Sequence, residues 1–365
     1  MPLLSCGLLL NEKDKNNPIN NYIMKRTYSI ILSLFVVALT TISCSKDDDS
    51  ISQSSLAEIT NFTLDFDGLN EEDVDYDLGT DIVVSVPFGT SLTGVTPTIT
   101  VSENATISPA SGAAVNFEDG EAKTFTVTAE DGSVKEYTVT VNVRPEVGSG
   151  SRLETYTIAD IYGENSTSTY SYNDANFVEE ISKETNDFGD ISTTVYSFEY
   201  NEKNQIIAKK VEATDEETIY TYENDKIVKA EYSIEGTSVY TYNYTYNDAG
   251  DLVSEKRTNH EDEDSIDEIQ FVIENGNVIE ENRYGEVYVA TYDDKNNPFI
   301  GMYPSAFAAI NVGIQAVNIN NPVSGTLADD TIDYEYNEDG YPISSSFTYF
   351  DGLATVDKNF TYFSE

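Results

Sequence analysis

Residues 57–144 alternate apolar and polar side chains in five short runs. The runs are ITNFTLDF, DIVVSVPF, PTITVS, KTFTVTAE and KEYTVTVNV, and clusters of Gly, Pro, Asn and Asp separate them. Alternation with a period of two is typical of strands that bury one face. The step Glu130-Asp131-Gly132-Ser133 between the last two runs predicts a tight hairpin turn. We therefore expect residues 57–144 to form a β-sandwich, and residues 145–151 (PEVGSGS) to be the linker that ends it.

Residues 152–365 repeat a short unit in which a strand ends in tyrosine and a turn follows. Full copies are YSYNDANFV (170–178), FEYNEKNQI (198–206), TYNDAGDL (245–252), ATYDDKNNP (290–298) and EYNEDGYP (335–342), and shorter copies are TYENDKIV (221–228) and VIENGNVI (272–279). The positions that anchor the copies are Tyr172, Tyr200, Tyr222, Tyr246, Ile273, Tyr292 and Tyr336. Such a period indicates a repeat of one supersecondary structure.

The chemistry of the unit is that of a β-hairpin. An Asn or Asp opens each turn by bonding its own backbone, and a Gly or Asn accepts the positive φ that closes it. Second turns such as Asp187-Phe188-Gly189-Asp190, Glu235-Gly236 and Tyr284-Gly285 lie between the units. The pattern predicts an antiparallel meander of about fourteen strands, which must curl or close because long flat sheets are unstable.

The chain has an export signal near its N-terminus. Lys25 and Arg26 precede the apolar run Ile30 to Ile42, whose thirteen residues cover only ~20 Å as a helix, less than the ~30 Å of a bilayer core. A cleaved signal peptide over residues 24–43 is therefore favoured over a transmembrane helix. Because a basic pair should open such a signal, we expect translation to start at Met24 and residues 1–23 to be an upstream extension.

Cys44 follows Thr41-Ile42-Ser43 and resembles the lipobox cysteine of bacterial lipoproteins, which implies a diacylated thiol that anchors the mature protein in a membrane. The residues behind it resemble the surface-export tag of Bacteroidota lipoproteins and are Ser45, Lys46, Asp47, Asp48 and Asp49. This resemblance implies the outer membrane, with the protein facing the cell exterior. Residues 44–56 are acidic and serine-rich, which predicts a flexible tether.

Two further resemblances concern the folded regions. The block from Ser102 to Val141 looks like the small immunoglobulin- or cadherin-like β-sandwich domains at the N-termini of Bacteroidota surface lipoproteins of unknown function. Residues 152–365 resemble the tyrosine–aspartate repeats of RHS-type proteins, although Asn mostly replaces the Asp after tyrosine. Together they imply an all-β protein: an N-terminal Ig-like β-sandwich followed by a curved antiparallel meander of repeated β-hairpins.

Composition limits the partners. The chain has 20 Lys+Arg against 65 Asp+Glu, a net charge of −45, which disfavours nucleic acid and anionic membrane surfaces. No cysteine follows Cys44, so no disulfide framework is expected.

One apolar segment, residues 297–321, interrupts the repeats. It bears almost no charge and contains Pro298 and Pro304, and Ser305 to Ile314 could form a short helix capped by Ser305. The segment is interpreted either as a plug that packs on the apolar face of the sheet or as a lid or partner-facing patch.

Tyrosines at alternate positions, which fall on one face of their strands, suggest a binding surface. The candidate platform consists of Tyr220, Tyr222, Tyr240, Tyr242, Tyr244 and Tyr246. These rings form either a cross-strand ladder with a structural role or a platform on which sugars stack. The absence of tryptophan weakens the second interpretation.

Metal binding and catalysis have weak signals. The acidic run Glu71 to Asp77 departs from the EF-hand pattern, because Gly79 falls one place late and Val84 stands where the bidentate glutamate belongs. His260 is the single histidine, which argues against His-dependent triads and zinc sites. We expect no metal, no cofactor and no enzyme activity. The favoured function is a non-catalytic binding or adhesion module for a glycan or a protein, and the alternative is a structural accessory subunit of an outer-membrane uptake or secretion complex.

Overall fold

The computed structural model describes residues 52–160, 163, 165–262, 265–311, 318–325 and 331–364. The predicted signal peptide, Cys44, the export tag and most of the tether lie outside these residues. The chain from Ser54 onward forms one compact unit. None of the helices in the described part of the chain has the length and apolar character needed to cross a membrane.

Seven strands in two small sheets occupy the N-terminal part of this unit. They are β1 (Ile59–Asp65), β2 (Asp75–Asp77), β3 (Asp81–Val86), β4 (Thr96–Val101), β5 (Thr106–Ser108), β6 (Ala122–Thr128) and β7 (Val134–Val143). β1 pairs with β4, and the second sheet has the order β2-β3-β7-β6-β5, in which only the β3–β7 pair is parallel. The five alternating runs of the sequence all became strands.

The two small sheets enclose one apolar core. Phe62 of β1 and Phe125 of β6 are fully buried and meet edge to face, with ring centroids 5.8 Å apart. The hairpin predicted between β6 and β7 is present, with Gly132 at a φ of 86°. The immunoglobulin-like assignment of this region stays a prediction.

A single large sheet is built from residues 153–362. Its strands are β8 (Leu153–Asp160), β9 (Asn165–Tyr172), β10 (Val178–Asp187), β11 (Asp190–Tyr200), β12 (Ile206–Val211), β13 (Glu216–Glu223), β14 (Lys226–Ile234), β15 (Thr237–Tyr246), β16 (Leu252–Asn259), β17 (Ser265–Glu274), β18 (Asn277–Arg283), β19 (Glu286–Tyr292), β20 (Pro322–Gly325), β21 (Asp333–Tyr336), β22 (Pro342–Tyr349) and β23 (Ala354–Tyr362). All neighbouring strands are antiparallel, which confirms the all-β fold with a curved antiparallel sheet. The sheet has sixteen strands, two more than the repeat pattern predicts.

The sheet curls until its two ends nearly meet. The strands from β8 to β20 follow one another as a meander, but β23 returns to pair with β8, so that β20 and β21 form the ends of the sheet. The backbone N–H of Ile332 donates to the carbonyl of Val323 at 2.8 Å and bridges these ends. The sheet therefore has a concave inner face that is almost enclosed.

The turns use the residues that the repeat pattern assigns to them. The Asn173 side-chain oxygen accepts the N–H groups of Ala175 and Phe177, each at 3.0 Å, and Asn176 has a φ of 62°. The second type of turn is equally regular, since Phe188 and Gly189 both have positive φ. These local bonds fix the register of each hairpin.

The apolar segment packs inside the curved sheet. We call its residues 297–311 the plug; Met302, Tyr303 and Phe307 are buried against inner-face residues such as Phe198 and Ile227. Of the two interpretations, packing against the sheet is the one observed for this part of the segment.

The helix in the plug is shorter than predicted, and its cap is a different residue. Helix α1 spans Ser305–Ile310, with Pro304 at the N-cap position and no side-chain cap. Ser305 is not the cap because it already lies within the helix, and its N–H and Oγ donate to the Glu146 carboxylate at 3.0–3.1 Å. The helix ends before Asn311, and the predicted end at Ile314 lies outside the described residues.

The predicted linker contacts the turn between β9 and β10 and the plug. Gly148 donates its N–H to the Ala175 carbonyl at 2.7 Å, and Ser149 donates to the Gly301 carbonyl at 3.1 Å. Gly301 has a φ of 75°, and a Cβ on this residue would lie 2.4 Å from the Ser149 carbonyl oxygen. The close approach of linker and plug therefore requires glycine at this position.

Candidate ligand-binding pocket

Tyrosines that close the repeat units are held by backbone carbonyl groups. At the turn end of the sheet, where the repeat turns lie, each such phenol donates to the carbonyl of a residue at the start of the preceding strand. The bonds are Tyr172 to Leu153 (2.8 Å), Tyr200 to Val178 (2.5 Å), Tyr222 to Ile206 (2.8 Å), Tyr246 to Ile227 (2.8 Å), Tyr292 to Val278 (2.6 Å) and Tyr362 to Pro342 (2.7 Å). Tyr336 instead donates to the Asp293 carboxylate. The tyrosine at the anchor position of the repeat thus forms a hydrogen bond that supports the sheet.

Two members of the predicted platform belong to this turn-end set. Tyr222 and Tyr246 are half-buried and pack against the core formed by the plug and the sheet. Burial raises the pKa of Tyr246 to about 12. Their hydroxyl groups are engaged with Ile206 and Ile227, so they support the sheet rather than present a free phenol.

Three other members of the platform line a cavity on the inner face. Tyr220, Tyr242 and Tyr244 surround a pocket of about 280 Å³ between strands β12–β15 and helix α1. The other residues that line this tyrosine pocket are Lys209, Thr218, Ala230, Tyr232, Phe307, Ile310 and Asn311. Its volume lies just below the ~300–1,000 Å³ that small-molecule sites usually have.

The register of the strands explains why a cavity exists here. Ala230 pairs with Tyr220 on one side and with Tyr242 on the other, so a small side chain separates two rings in one cross-strand row. Ala230 is buried, and Tyr220 packs edge-on against Phe307 of the plug at 5.4 Å. The pocket is therefore the space that a larger side chain at position 230 would fill.

Tyr240, the sixth predicted platform residue, is not among those that line the tyrosine pocket. Its ring stacks on Tyr232 with centroids 5.9 Å apart, and the Arg257 guanidinium lies 5.0 Å from its centroid. The structure thus divides the platform into three lining residues, two turn-end residues and one neighbour. Ligand binding by any of them stays a prediction.

Several lining residues were not predicted from the sequence. Lys209 lies on the same face as Ile206 only because a bulge shifts the register along β12, whereas Tyr232 follows Ala230 by simple alternation. Phe307, Ile310 and Asn311 come from the plug, which the sequence marks as apolar without indicating which strands it contacts. The one available signal was the charge-poor composition of residues 297–321.

Burial shifts the ionisation of the groups in the pocket. Desolvation lowers the pKa of Lys209, and the charge of Glu216 opposes this shift. Desolvation also raises the pKa of Tyr242 and of Tyr244, and for Tyr232 burial and a hydrogen bond to Glu216 raise the pKa to about 12. At neutral pH the pocket therefore offers neutral phenols, together with an amide and the amino group of Lys209.

The predictions on metals and histidine concern other parts of the surface. In the ranges that the structure covers, no three His, Cys, Asp or Glu side chains come together as a metal site. His260 is exposed beyond the end of β16, and its Nε2 lies 2.8 Å from the Thr241 hydroxyl.

In the tyrosine pocket, ring faces lie beside hydroxyl, amide and amino groups. Such a combination is suited to binding a polar ligand that also has apolar faces.

A family model matches the N-terminal part of the chain. Residues 59–141 match the family model described as SGBP, N-terminal, which denotes the N-terminal domain of surface glycan-binding proteins. The match covers nearly all of β1–β7 and indicates similarity to cell-surface proteins of Bacteroidota. Similarity of the large sheet to tyrosine–aspartate repeats stays a prediction. No curated protein matches the chain.

Several solved structures resemble the chain weakly. A porin-like protein from Bacteroides uniformis ATCC 8492 is 15% identical, with a TM-score of 0.41 over 59% of this chain and 99% of that chain. A DUF4623 family protein from Bacteroides eggerthii DSM 20697 is 10% identical, with a TM-score of 0.19 over 80% and 95%. A candidate glycoside hydrolase from Bacteroides thetaiotaomicron VPI-5482 is 12% identical, with a TM-score of 0.22 over 88% and 100%. Scores this low carry no functional argument.

Proposed function

We propose that this protein is a lipid-anchored outer-membrane protein that faces the cell exterior and binds a glycan without catalysis, in the tyrosine pocket. The observation that carries the proposal is the match of residues 59–141 to the N-terminal domain of surface glycan-binding proteins. The export signal, Cys44 and the acidic tag behind it support the same location. In this proposal the small sheets hold the curved sheet away from the membrane and the curved sheet carries the ligand.

The chemistry of the pocket supports binding rather than hydrolysis. Tyr220, Tyr242 and Tyr244 offer aromatic faces for the C–H faces of a sugar ring, and Thr218 and Asn311 offer hydrogen-bonding groups beside them. Glycoside hydrolysis usually needs two carboxyl groups ~5–9.5 Å apart across the bond. The described lining of this pocket contains neither Asp nor Glu.

The binding site is tested by filling the pocket and by removing one ring. The full-length protein in detergent is screened on an array of oligosaccharides, and the affinity for each bound glycan is measured by calorimetry. Ala230→Leu should abolish binding because it occupies the cavity. Tyr242→Ala should weaken binding about tenfold, since ~50 Å² of ring face at ~25 cal/mol per Å² corresponds to ~1.3 kcal/mol.

A matched control for the ring removal is Tyr288→Ala. Tyr288 lies on β19, is half-buried, and bonds Glu286 rather than lining the pocket. Equal loss of affinity in Tyr288→Ala and Tyr242→Ala would contradict the proposed site. An array on which no glycan binds would contradict the proposed function.

The proposed location has its own test. Cys44→Ala should release the protein from the membrane fraction, because the thiol that would carry the acyl chains is gone. Protease added to intact cells should remove the wild-type protein from the cell surface. Protection of the protein in intact cells, with cleavage after lysis, would place it on the inner side of the outer membrane.

A further inference from the structure

Lys209 is a cation in the tyrosine pocket that has no carboxylate partner. It lines the cavity beside Tyr220 and Thr218, and its Nζ lies 4.8 Å from the centroid of Tyr196. Among the described residues no Asp or Glu forms an ion pair with it. The next residue, Lys210, points to the other face of β12 and pairs with Glu199 at 2.6 Å and Glu217 at 3.3 Å.

An unpaired cation is unexpected in this chain. With 65 acidic residues against 20 basic ones, carboxylates outnumber the basic groups more than threefold. Glu216 is the carboxylate whose charge acts on Lys209, yet it accepts a hydrogen bond from Thr214 at 2.7 Å and another from Tyr232. Burying an ammonium group without a counter-charge is unfavourable, and the shift in the Lys209 pKa reflects this cost. A ligand that supplies the counter-charge would remove it.

A second interior cavity repeats this arrangement. A cavity of about 110 Å³ between the plug and strands β21–β23 is lined by Lys358, Ser345 and Tyr334, without an acidic side chain among its described lining. Lys358 lies 5.8 Å from the Phe347 ring centroid and has no ion pair in the described chain, and the buried Ser345 hydroxyl has no hydrogen-bond partner there. Lys209 and Lys358 thus each line an interior cavity without an ion pair among the described residues, whereas Arg257 and Arg283 nearby pair with Asp267 and Glu281.

We propose that the tyrosine pocket selects acidic glycans: a sugar carboxylate pairs with the Lys209 ammonium while the sugar ring stacks on Tyr220, Tyr242 or Tyr244. The inference rests on the proposed function and adds the chemical class of the ligand. A uronic or sialic acid unit carries the required carboxylate on the ring that would be stacked.

Most of the acidic side chains oppose an anionic ligand at long range only, although Glu216 and Glu255 act on residues that line the pocket. At 0.1 M salt the screening length is ~10 Å, so most of the 65 acidic side chains act weakly on a ligand inside the cavity, whereas Lys209 would be in direct contact. Association with an acidic glycan should therefore become faster as salt rises from 10 to 150 mM, because repulsion is screened. A positively charged site on a neutral surface would show the opposite trend.

The experiment compares acidic glycans with their neutral forms. Full-length protein is screened on an array of neutral, uronic acid and sialic acid oligosaccharides, and the best acidic ligand is then measured by calorimetry beside its methyl ester. Wild-type protein should bind the acid roughly 10- to 100-fold more tightly than the ester, which is the range for a charge-assisted hydrogen bond. Lys209→Gln should remove that preference, and Lys209→Arg should retain most of it.

Lys210→Gln is the matched control, because it removes the same charge from the adjacent residue on the opposite face. Equal losses in Lys209→Gln and Lys210→Gln would overturn the proposal, since the effect would then reflect net charge. Binding of neutral glycans alone would also overturn it while leaving the proposed function intact. If no glycan on the array binds, the proposed function fails, and this inference fails with it. Thermal unfolding of each variant separates lost binding from lost folding.

Discussion

The turn-end tyrosines make a quantitative prediction about stability. Tyr246→Phe removes only the hydroxyl that donates to the Ile227 carbonyl at 2.8 Å and leaves the ring packing unchanged. A neutral hydrogen bond contributes about 1 kcal/mol net, and the half-buried position of Tyr246 allows water to reach the carbonyl in part. We expect the free energy of unfolding to fall by about 0.5–1 kcal/mol.

The same bond recurs on alternate strands, so the losses should add. The triple variant Tyr200→Phe, Tyr222→Phe, Tyr246→Phe should lose about 1.5–3 kcal/mol, because each bond has its own acceptor carbonyl. Urea unfolding followed by far-ultraviolet circular dichroism measures the change, with the slope of the transition unchanged.

Tyr244→Phe provides the control on the same strand and the same face. Tyr244 is also half-buried, and its hydroxyl has no hydrogen-bond partner among the described residues, so its removal should be neutral or slightly stabilising. If Tyr244→Phe and Tyr246→Phe destabilise the protein equally, the carbonyl bonds do not stabilise the sheet and the reasoning fails.

Three further predictions concern the same sheet. Ile273→Tyr restores a phenol at the one repeat anchor that lacks it, next to the start of β16. In urea unfolding this variant should be about 0.5–1 kcal/mol more stable than Ile273→Phe. Equal stability of the two variants would mean that no carbonyl is within reach of the new hydroxyl. Gly301→Ala should lower the melting temperature and expose the linker to protease, because the added Cβ meets the Ser149 carbonyl. Gly352→Ala is the control: Gly352 has a similar φ of 81° but lies in open space, so this variant should show only the smaller loss of stability from backbone strain. Above pH 10 the protein should lose stability. Folding raises the pKa of turn-end phenols, to about 12 for Tyr246 against 10.0 in the unfolded chain, so folding favours the protonated form. The stability is therefore full below pH 10 and falls as pH rises toward 12. Absorbance at 295 nm and near-ultraviolet circular dichroism should change together, and ionisation of all tyrosines near pH 10 without unfolding would contradict the prediction.

The local features of the fold could be predicted from the sequence because short-range chemistry determines them. Asn173 bonds the N–H groups of its own turn, and Gly132 accepts a positive φ, whatever the rest of the chain does. The long-range features could not. Nothing in β23 indicates that it pairs with β8, because a strand with one buried face fits many partners.

The pocket lay beyond prediction for a related reason. A bulge between β11 and β12 brings Ile206 and Lys209 onto one face although they are three residues apart, which breaks simple alternation. The sequence therefore does not distinguish Lys209 from Lys210, whereas in the structure their side chains lie on opposite faces of β12. The cavity further depends on Ala230 standing between Tyr220 and Tyr242, a juxtaposition of three strands.

β23, which is nine residues long, covers the edge of β8 and so completes the meander. Until that strand arrives, β8 presents an unprotected row of amides and carbonyls, which is a template for association with another copy. A chain truncated before Ala354 would therefore aggregate through the open edge of β8. The extent to which quality-control proteases remove such a chain would depend on how long that edge stays unpaired.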